Sequence, residues 1–175
     1  MKDAKLELVR GDITRMETDA IVNAANSGLM GGGGVDGAIH RAAGKELLEE
    51  CIRIADERKP GLPCPPGDAV ITGAGRLRCR KVIHTVGPVW HGGSKGEEET
   101  LALCYKKCLH LAAEAGLESI AFPNISTGVY GYPKDKAAKT ALETVRKTIE
   151  ETPGIKRVVF VCYDEENYRL YRDNL

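Results

Sequence analysis

Short runs rich in valine and isoleucine alternate along this chain with longer stretches whose apolar residues recur every three or four positions. The short runs predict six strands, at Lys5–Arg10, Asp19–Asn23, Asp68–Thr72, Lys81–Thr85, Ser119–Pro123 and Arg157–Tyr163. A strand followed by an amphipathic helix is the repeating unit of a parallel sheet that is buried on both faces. The alternation therefore predicts an α/β fold with three layers, α/β/α, around a largely parallel sheet.

The longer stretches predict four helices, at Val35–Asp56, Glu97–Ala115, Pro133–Glu151 and Glu165–Asn174. Pro133 suits the first turn of the third helix, and Pro153–Gly154 stops it. Two connections, 59–67 and 90–96, are longer than a plain link needs. Each is nevertheless short and flanked by core elements, so neither predicts a domain boundary.

Length and charge balance exclude several classes of protein. The 175 residues suffice for one well-packed core, so we predict a single domain over 1–175. Lysine plus arginine number 25, as do aspartate plus glutamate, which removes the positive field that general nucleic-acid binding requires. No run approaches the roughly 18 uninterrupted apolar residues of a membrane span. The first five residues lack a signal-peptide pattern, and the helices carry many charges, so we expect a cytoplasmic monomer.

The six cysteines are scattered and include neither a Cys-x-x-Cys pair nor a histidine at metal-ligand spacing. We therefore expect no metal and no other cofactor. Cys104 and Cys108 lie four positions apart in a predicted helix and share one face. Their interpretation as small buried hydrophobic side chains needs no further chemistry.

The segment from Asp19 to Gly44 carries the strongest functional signal. A strand gives way to small and polar residues, and then to four consecutive glycines, Gly31–Gly34, before a helix begins. Four ordered glycines are costly in backbone entropy unless a ligand approaches the backbone closely or the loop moves. Free N–H groups at a helix start and in glycine-rich turns bind phosphate. The segment Gly32–Gly37 also fits G-x-G-x-x-G, but its distance from the strand argues against a Rossmann site.

Polar residues flank this glycine loop on both sides. Asp36 lies in the first turn of the predicted helix, where the backbone should keep it ionised, and it acts either as a helix cap or as a catalytic group. His40, one turn later, is placed to bond Asp36 or a ligand ribose. Asn26 offers donors and an acceptor to sugar hydroxyls, whereas Asn23 is expected to satisfy the backbone of a turn.

A second loop, Phe122–Pro133, repeats the order of strand, glycine-rich loop and helix. It is longer than an ordinary connection requires, and together the two loops could pinch one pyrophosphate. Ser126 with His84 does not indicate a serine hydrolase, because the G-x-S-x-G turn is missing. His84 is expected to be structural, at the edge of the core.

Two further residues follow the first and last strands. Asp12 could accept a hydrogen bond from an adenine amino group, and Tyr163 could stack on a base. Asp12 is equally consistent with a cap on the turn at Ile13–Thr14, and Tyr163 with the rim of the core.

Taken together, these segments resemble the macrodomain family and, within it, the MacroD-type branch. The matching pieces are Gly11–Thr14, Ala20–Asn26, Leu29–Gly44 (LMGGGGVDGAIHRAAG), His84–Pro88 and Ile120–Pro133 (IAFPNISTGVYGYP). They occur in order and span nearly the whole chain. The resemblance implies a mixed six-stranded sheet between helices, with an ADP-ribose cleft at the strand ends.

The resemblance also implies roles for single residues. Asp12, with the Ile13 backbone, would hold the adenine amino group, and Tyr163 would pack on the adenine. Both loops would wrap the pyrophosphate and the distal ribose, through Gly33, Gly34, Val35, Ser126, Thr127, Gly128, Val129 and Tyr130. Asn26, Asp36 and His40 would surround that ribose as the catalytic group. No role follows for Asn124.

Members of this branch remove ADP-ribose from acidic side chains of proteins and deacetylate O-acetyl-ADP-ribose, and the intact first loop favours such a hydrolase here. Water would attack the ester carbonyl or the distal ribose carbon, while Asn26 fixes the sugar. Either Asp36 or a substrate phosphate would activate the water, since an ordinary carboxylate is a weak base at neutral pH. A module that reads ADP-ribosylated proteins without cleaving them, or an ADP-ribose-1″-phosphate phosphatase, would use the same cleft.

Overall fold

A computed structural model describes residues 4–58 and 63–175 of the chain. Six strands and five α-helices follow in the order β1 Lys5–Arg10, β2 Ala20–Ala24, α1 Gly34–Ala43, α2 Lys45–Glu57, β3 Ala69–Gly73, β4 Lys81–Thr85, α3 Glu97–Glu114, β5 Ser119–Phe122, α4 Lys134–Thr148, β6 Arg157–Cys162 and α5 Glu165–Asn174. A short 3-10 helix, Ile13–Arg15, links β1 to β2. All six predicted strands are present, with bounds that differ by at most one residue.

The strands form one sheet in the order β1-β6-β5-β2-β4-β3. Every neighbouring pair is parallel except β3 and β4, which run antiparallel at one edge. The sheet is therefore mixed and largely parallel, and the predicted three-layer α/β/α fold is confirmed. In a parallel sheet the carboxyl ends of the strands share one edge, so the loops after β2, β4 and β5 emerge side by side.

Alternate residues of each central strand bury apolar side chains on opposite faces of the sheet. Val22 and Phe122 pack into the cluster that holds α3, α4 and α5. Ile21 and Val82 pack on the other face against α1 and α2, with Leu47 among their neighbours. Full burial of each such side chain stabilises the fold by about 1.5–3 kcal/mol.

The prediction of one helix over Val35–Asp56 is wrong, because two helices meet at Gly44. Gly44 has φ 88°, in the left-handed region that a glycine adopts without strain, and its N–H closes α1 on the carbonyl of His40 at 3.1 Å. The carbonyl of Ala43 accepts from the Arg76 N–H instead of continuing the helix. Periodicity alone misses this break because the apolar stripe continues on both sides of it.

Two sequence-based expectations fall partly outside the described residues. The first four residues of the link at 59–67 and the first three of the N-terminus belong to the undescribed positions. Among the described residues, no helix is both long and apolar enough to span a membrane. Cys104 and Cys108 are fully buried, as predicted, and burial raises the pKa of the Cys104 thiol to about 11.

Candidate functional site

A cleft of about 430 Å³ opens where the loops after β2, β4 and β5 meet. Its wall consists of small and polar residues from these loops and the start of α1, namely Ala24, Ala25, Asn26, Gly32, Gly33, Gly34, Val35, Asp36, Gly87, Asn124, Ile125, Ser126, Gly128, Val129 and Tyr130. The two glycine-rich loops therefore do face one another across one site. Clefts at the carboxyl ends of strands are where open α/β sheets bind ligands.

The first loop brings the start of α1 to the cleft. Gly33 is the N-cap residue, and within the described chain no side chain caps this helix. The N–H of Gly37 donates to the carbonyl of Gly33, and the Cα of Gly37 lies so close to the loop that an added Cβ would stand 2.4 Å from the Gly32 carbonyl oxygen. The uncapped N–H groups of the first turn suit an anionic ligand.

Asp36 is buried at the wall of the cleft, with 5% of its surface exposed. Its Oδ1 accepts a hydrogen bond from Asn23 Nδ2 at 2.8 Å and lies 3.4 Å from His40 Nε2. A Cβ placed on Gly32 would lie 3.3 Å from both Asp36 Oδ2 and Asn26 Nδ2. The second carboxylate oxygen and the Asn26 amide therefore flank one spot of the cleft wall. The helix-cap alternative is wrong, because the cap position belongs to Gly33.

Burial raises the pKa of Asp36, while the hydrogen bond from Asn23 and the charge interaction with His40 act in the opposite direction. This shift is opposite to the expectation that the helix start holds the carboxylate in its ionised form. Desolvation outweighs the helix start because the side chain is almost completely removed from water. A raised pKa makes Asp36 a stronger base than an exposed carboxylate.

The prediction that Asn23 satisfies the backbone of a turn is wrong. Asn23 lies inside β2, which continues to Ala24, so its backbone belongs to the sheet. Its fully buried amide binds the carboxylate of Asp36 and approaches Nδ1 of His84 at 3.1 Å. The sequence signal for this role was the asparagine in an otherwise apolar buried strand, where a polar side chain needs a partner.

Asn26 shapes the first loop as well as lining the cleft. Its Nδ2 donates to the carbonyl of Gly31 at 2.9 Å, and its Oδ1 accepts from the N–H of Gly28 at 3.1 Å. These bonds hold the loop in place beside Asp36. Its role toward a sugar stays a prediction.

His40 lies one turn after Asp36 on α1, and its side chain is largely buried. The ring packs beneath Gly31, whose φ of 87° belongs to the left-handed region. The contact with Asp36, one of the two alternatives for His40, is present, although 3.4 Å is long for a hydrogen bond.

Ser126 is the most strained residue of the second loop. Its φ is 68°, an unfavourable backbone conformation for a side chain with a Cβ, and its buried Oγ has no hydrogen-bond partner within the described part of the chain. A Cβ on Gly87 would stand 2.1 Å from this oxygen. Position 87, after β4, therefore has no room for a side chain next to Ser126. The sequence analysis gave Gly87 no role.

The residues predicted to hold adenine lie beyond the wall of the cleft. Asp12 Oδ1 accepts from the N–H and the Oγ1 of Thr14, and these bonds, led by that of the hydroxyl, lower the pKa of Asp12. The cap interpretation of Asp12 is thus confirmed, and its Oδ2 takes no part in these bonds. Ile13 is buried, and Tyr163 is 81% exposed directly after β6, where its ring is open to a ligand. The adenine roles stay predictions.

The structure also brings residues to the cleft that the sequence reasoning assigned no role. These are Ala24, Ala25, Gly32, Gly87, Asn124 and Ile125, whereas the predicted Thr127 lies in the second loop without lining the cleft. Asn124 lies two residues after the end of β5, and its Nδ2 points at the sulfur of Cys162 at 3.5 Å. A polar residue at a strand end was the available signal for it.

His84 is fully buried in β4, as a structural residue, and not at the edge of the core. Its Nε2 lies 3.0 Å from Thr72 Oγ1, and burial, helped by the neighbouring His40, lowers the pKa of His84 to about 3. His40, Cys51 and His84 approach one another closely enough to suggest a metal site, with potential ligand atoms within 4.8 Å. Sequence spacing could not show this cluster, because the three residues come from α1, α2 and β4.

Comparison with known proteins places the chain among macrodomains. The family model described as Macro domain matches residues 22–141. An O-acetyl-ADP-ribose deacetylase of Enterobacter sp. is 57% identical over 168 residues, which cover 96% of this chain and 92% of that protein.

Solved structures with a similar fold are macrodomains as well. The Oceanobacillus iheyensis macrodomain with ADP superposes with a TM-score of 0.93 at 47% identity and covers 98% of this chain and 90% of its own. The Trypanosoma brucei macrodomain in complex with ADP-ribose gives a TM-score of 0.87 at 42% identity, over 97% of this chain and 68% of its own. Sequence and fold together show that this chain belongs to the macrodomain family.

Proposed function

We propose that this protein binds ADP-ribose in the cleft and hydrolyses ester bonds on its distal ribose, with O-acetyl-ADP-ribose as one substrate and ADP-ribose linked to acidic side chains of proteins as another. Both substrates carry the same chemical group, an acyl ester of a ribose hydroxyl. Relatives named O-acetyl-ADP-ribose deacetylase and a macrodomain solved with ADP-ribose support this proposal. The names of the relatives support the acetyl ester, whereas the protein substrate is proposed because it carries the same kind of ester.

The buried carboxylate of Asp36 is the observation on which the hydrolase proposal rests. A module that only binds a diphosphate gains nothing from a negative charge beside its phosphate loop. Burial of that carboxylate also costs stability, because desolvation disfavours its charged form. A catalytic base explains both features, since its pKa must lie closer to the working pH than that of an exposed carboxylate.

In the proposed reaction, water attacks the ester carbonyl while Asp36 Oδ2 accepts one of its protons. The bond between the acyl carbon and the ribose oxygen then breaks, and Asp36 returns the proton to that oxygen. The products are ADP-ribose and a carboxylic acid, either acetic acid or the side chain of the protein. Asn26, whose amide lies beside the same spot of the wall, fixes the sugar, and the N–H groups at the start of α1 hold the pyrophosphate.

The test follows free ADP-ribose released from O-acetyl-ADP-ribose and from a peptide with ADP-ribose on a glutamate. Reaction in water labelled with ¹⁸O locates the broken bond: attack on the carbonyl puts the label in the acid, and attack on the ribose carbon puts it in ADP-ribose. Asp36→Asn is expected to lose turnover. Asp135→Asn, which changes an exposed carboxylate in the first turn of α4, is the matched control and is expected to keep it.

Three outcomes separate the alternatives. Tight binding of ADP-ribose with no product from either substrate would make the protein a reader. Turnover of O-acetyl-ADP-ribose alone would remove the protein substrate from the proposal. If Asp36→Asn retained full turnover, the base would be a group of the substrate and the role of Asp36 would be wrong.

A further inference from the structure

A line of buried polar groups runs from the edge strand β3 across β4 and β2 to the cleft. Thr72 in β3, His84 in β4 and Asn23 in β2 are all less than 4% exposed, and Asp36 follows them at the cleft wall. Asn23 and His84 are direct neighbours in the parallel pairing of β2 with β4. They continue the face on which Ile21 and Val82 pack against α1 and α2, so polar side chains replace apolar ones only at the end next to the cleft.

The chemistry of these groups assigns every proton in the line. An amide nitrogen only donates, so Asn23 Nδ2 donates one hydrogen to Asp36 Oδ1 and the other to His84 Nδ1. The proton of the neutral imidazole therefore sits on Nε2, which donates to Thr72 Oγ1 at 3.0 Å. Thr72 Oγ1 in turn donates to the carbonyl of Gly73 at 2.9 Å. The bonds thus point outward from the Asn23 amide, to Asp36 on one side and through His84 and Thr72 to the Gly73 carbonyl on the other. A charged imidazolium would break the line at Nδ1.

Asn23 gives up one of its own bonds to hold this arrangement. Its Oδ1 is buried and has no partner among the residues that the structure describes. An unpaired buried acceptor is destabilising. The Asn23 side chain nevertheless keeps this orientation, because its NH₂ group donates to two acceptors, Asp36 and His84.

The line of hydrogen bonds also argues against a metal at His40, Cys51 and His84. Both ring nitrogens of His84 already have partners, and the proton on Nε2 blocks that atom as a ligand. Burial raises the pKa of the Cys51 thiol to about 11, so the thiolate that a metal needs is disfavoured. The Cys51 sulfur lies 3.9 Å from His84 Nε2, a contact that needs no metal.

We propose that His84, anchored by Thr72, is a positioning residue that acts through Asn23 to hold Asp36 in its working orientation. This inference rests on the proposed function for its catalytic consequence. His84 touches neither the cleft nor a substrate; it accepts the second hydrogen of the Asn23 amide and thereby prevents that amide from turning away from Asp36.

The first test compares His84→Leu with His84→Asn. Leucine removes the acceptor, whereas the Oδ1 of asparagine lies where Nδ1 lay and accepts from Asn23 again. We expect His84→Leu to lower kcat for O-acetyl-ADP-ribose about ten- to a hundredfold with little change in the Kd for ADP-ribose. His84→Asn is expected to recover most of kcat although it, too, destabilises the fold. Thr152→Val, which removes a buried hydroxyl remote from the cleft, controls for lost stability alone.

The second test combines His84→Leu with Asn23→Ala. Because His84 acts through Asn23, the double variant is expected to have the kcat of Asn23→Ala, with no additional loss. Multiplied losses, or equal losses in His84→Leu and His84→Asn, would overturn the proposal.

A third measurement does not depend on turnover. The carboxyl carbon of Asp36, followed by ¹³C NMR, is expected to titrate at a higher pKa in His84→Leu and Asn23→Ala than in the native chain, but not in His84→Asn. His40 on α1 and Cys51 on α2 are the titratable groups facing Asp36, and all three variants keep both. If the native protein released no ADP-ribose, the proposed function would fail, whereas an unchanged Asp36 titration in His84→Leu would overturn the positioning role.

Discussion

Two buried carboxylates lie in the first turns of helices in this protein, and they differ in the hydrogen-bond donors that surround them. Asp36 in α1 and Glu97 in α3 each follow a glycine-containing loop, and each is at most 5% exposed. Glu97 accepts three hydrogen bonds from the backbone N–H groups of His91, Gly93 and Lys95, at 2.6–2.9 Å. The hydrogen bond that Asp36 accepts comes from the side chain of Asn23.

The two pKa values move in opposite directions for this reason. Burial acts to raise the pKa of both groups. At Glu97 the backbone N–H groups together outweigh burial and lower the pKa to about 2, whereas at Asp36 burial prevails and the pKa is raised. Glu97 thus organises the loop at 90–96. Asp36 keeps one carboxylate oxygen free at the cleft, and its raised pKa makes that oxygen a better proton acceptor.

A structural carboxylate and a catalytic one differ in how fully hydrogen-bond donors satisfy their oxygens. A carboxylate that holds a loop together has its lone pairs taken by donors and is stabilised in its charged form. A catalytic base has to stay under-satisfied, and the fold tolerates it at a cost in stability. Exchanging each carboxylate for its amide is therefore expected to affect different properties.

The largest effect is expected for Asp36→Asn. The variant loses the base and is expected to lower kcat for O-acetyl-ADP-ribose at least about a hundredfold, because general-base catalysis contributes about 10²–10⁴-fold. Its thermal midpoint is expected to stay the same or to rise, since a neutral amide is easier to bury than a carboxylate. Steady-state kinetics and calorimetric melting check both parts, and a strong loss of stability would remove the contrast with Glu97.

Glu97→Gln is expected to give the reverse result. One amide oxygen cannot accept all three bonds, and the new NH₂ group faces backbone N–H donors, so the thermal midpoint is expected to fall by several degrees. Turnover and ADP-ribose binding, measured below the melting range, are expected to persist. A drop in kcat comparable with that of Asp36→Asn would assign the loop at 90–96 to the active site.

Gly37→Ala disturbs the loop before Asp36 and leaves the carboxylate itself unchanged. In an open helix, alanine would be more favourable than glycine by about 1 kcal/mol, but here the new Cβ would meet the Gly32 carbonyl oxygen at 2.4 Å. The displaced loop is expected to weaken ADP-ribose binding about tenfold, which is about 1.4 kcal/mol. Titration calorimetry checks this, with Gly154→Ala, where the Cβ has open space, as the control. Unchanged binding would show that the loop adapts.

The smallest effect is expected in the pH dependence of stability, where the two amide variants differ in sign. Glu97 stabilises the native state above its ordinary pKa of 4.5, and this advantage over Glu97→Gln disappears as the pH falls toward about 2. Asp36, with a raised pKa, destabilises the native state at neutral pH. The advantage of Asp36→Asn is therefore expected to disappear as the pH falls through the folded-state pKa of Asp36 toward its ordinary 3.8. Urea unfolding at several pH values checks both slopes; parallel curves would contradict the assigned pKa directions.

Much of the fold follows from local patterns. Short runs rich in valine and isoleucine locate every strand, and turn spacing locates the helical stretches, because both patterns depend on residues close in sequence. The break at Gly44 escaped this reasoning, since a glycine inside an apolar stripe is compatible with one helix or two. At this break the N–H of the distant Arg76 takes the carbonyl of Ala43, which is a tertiary contact.

The candidate site divides in the same way. The glycine loops, Asn26 and Asp36 are visible as residues of the right chemistry at strand ends and at a helix start. The two partners of Asn23 cannot be identified from the sequence. The strand register places Asn23 beside His84, and the packing of α1 brings Asp36 to Asn23.

The α/β architecture, the family and the two glycine-rich loops follow from the amino-acid sequence alone, because they depend on periodicity and on contiguous motifs. The burial of Asp36 with a raised pKa, and of Glu97 with a lowered one, is visible only in the folded chain. A carboxylate's pKa depends on the water removed around it and on the donors that face it, and distant parts of the chain supply both.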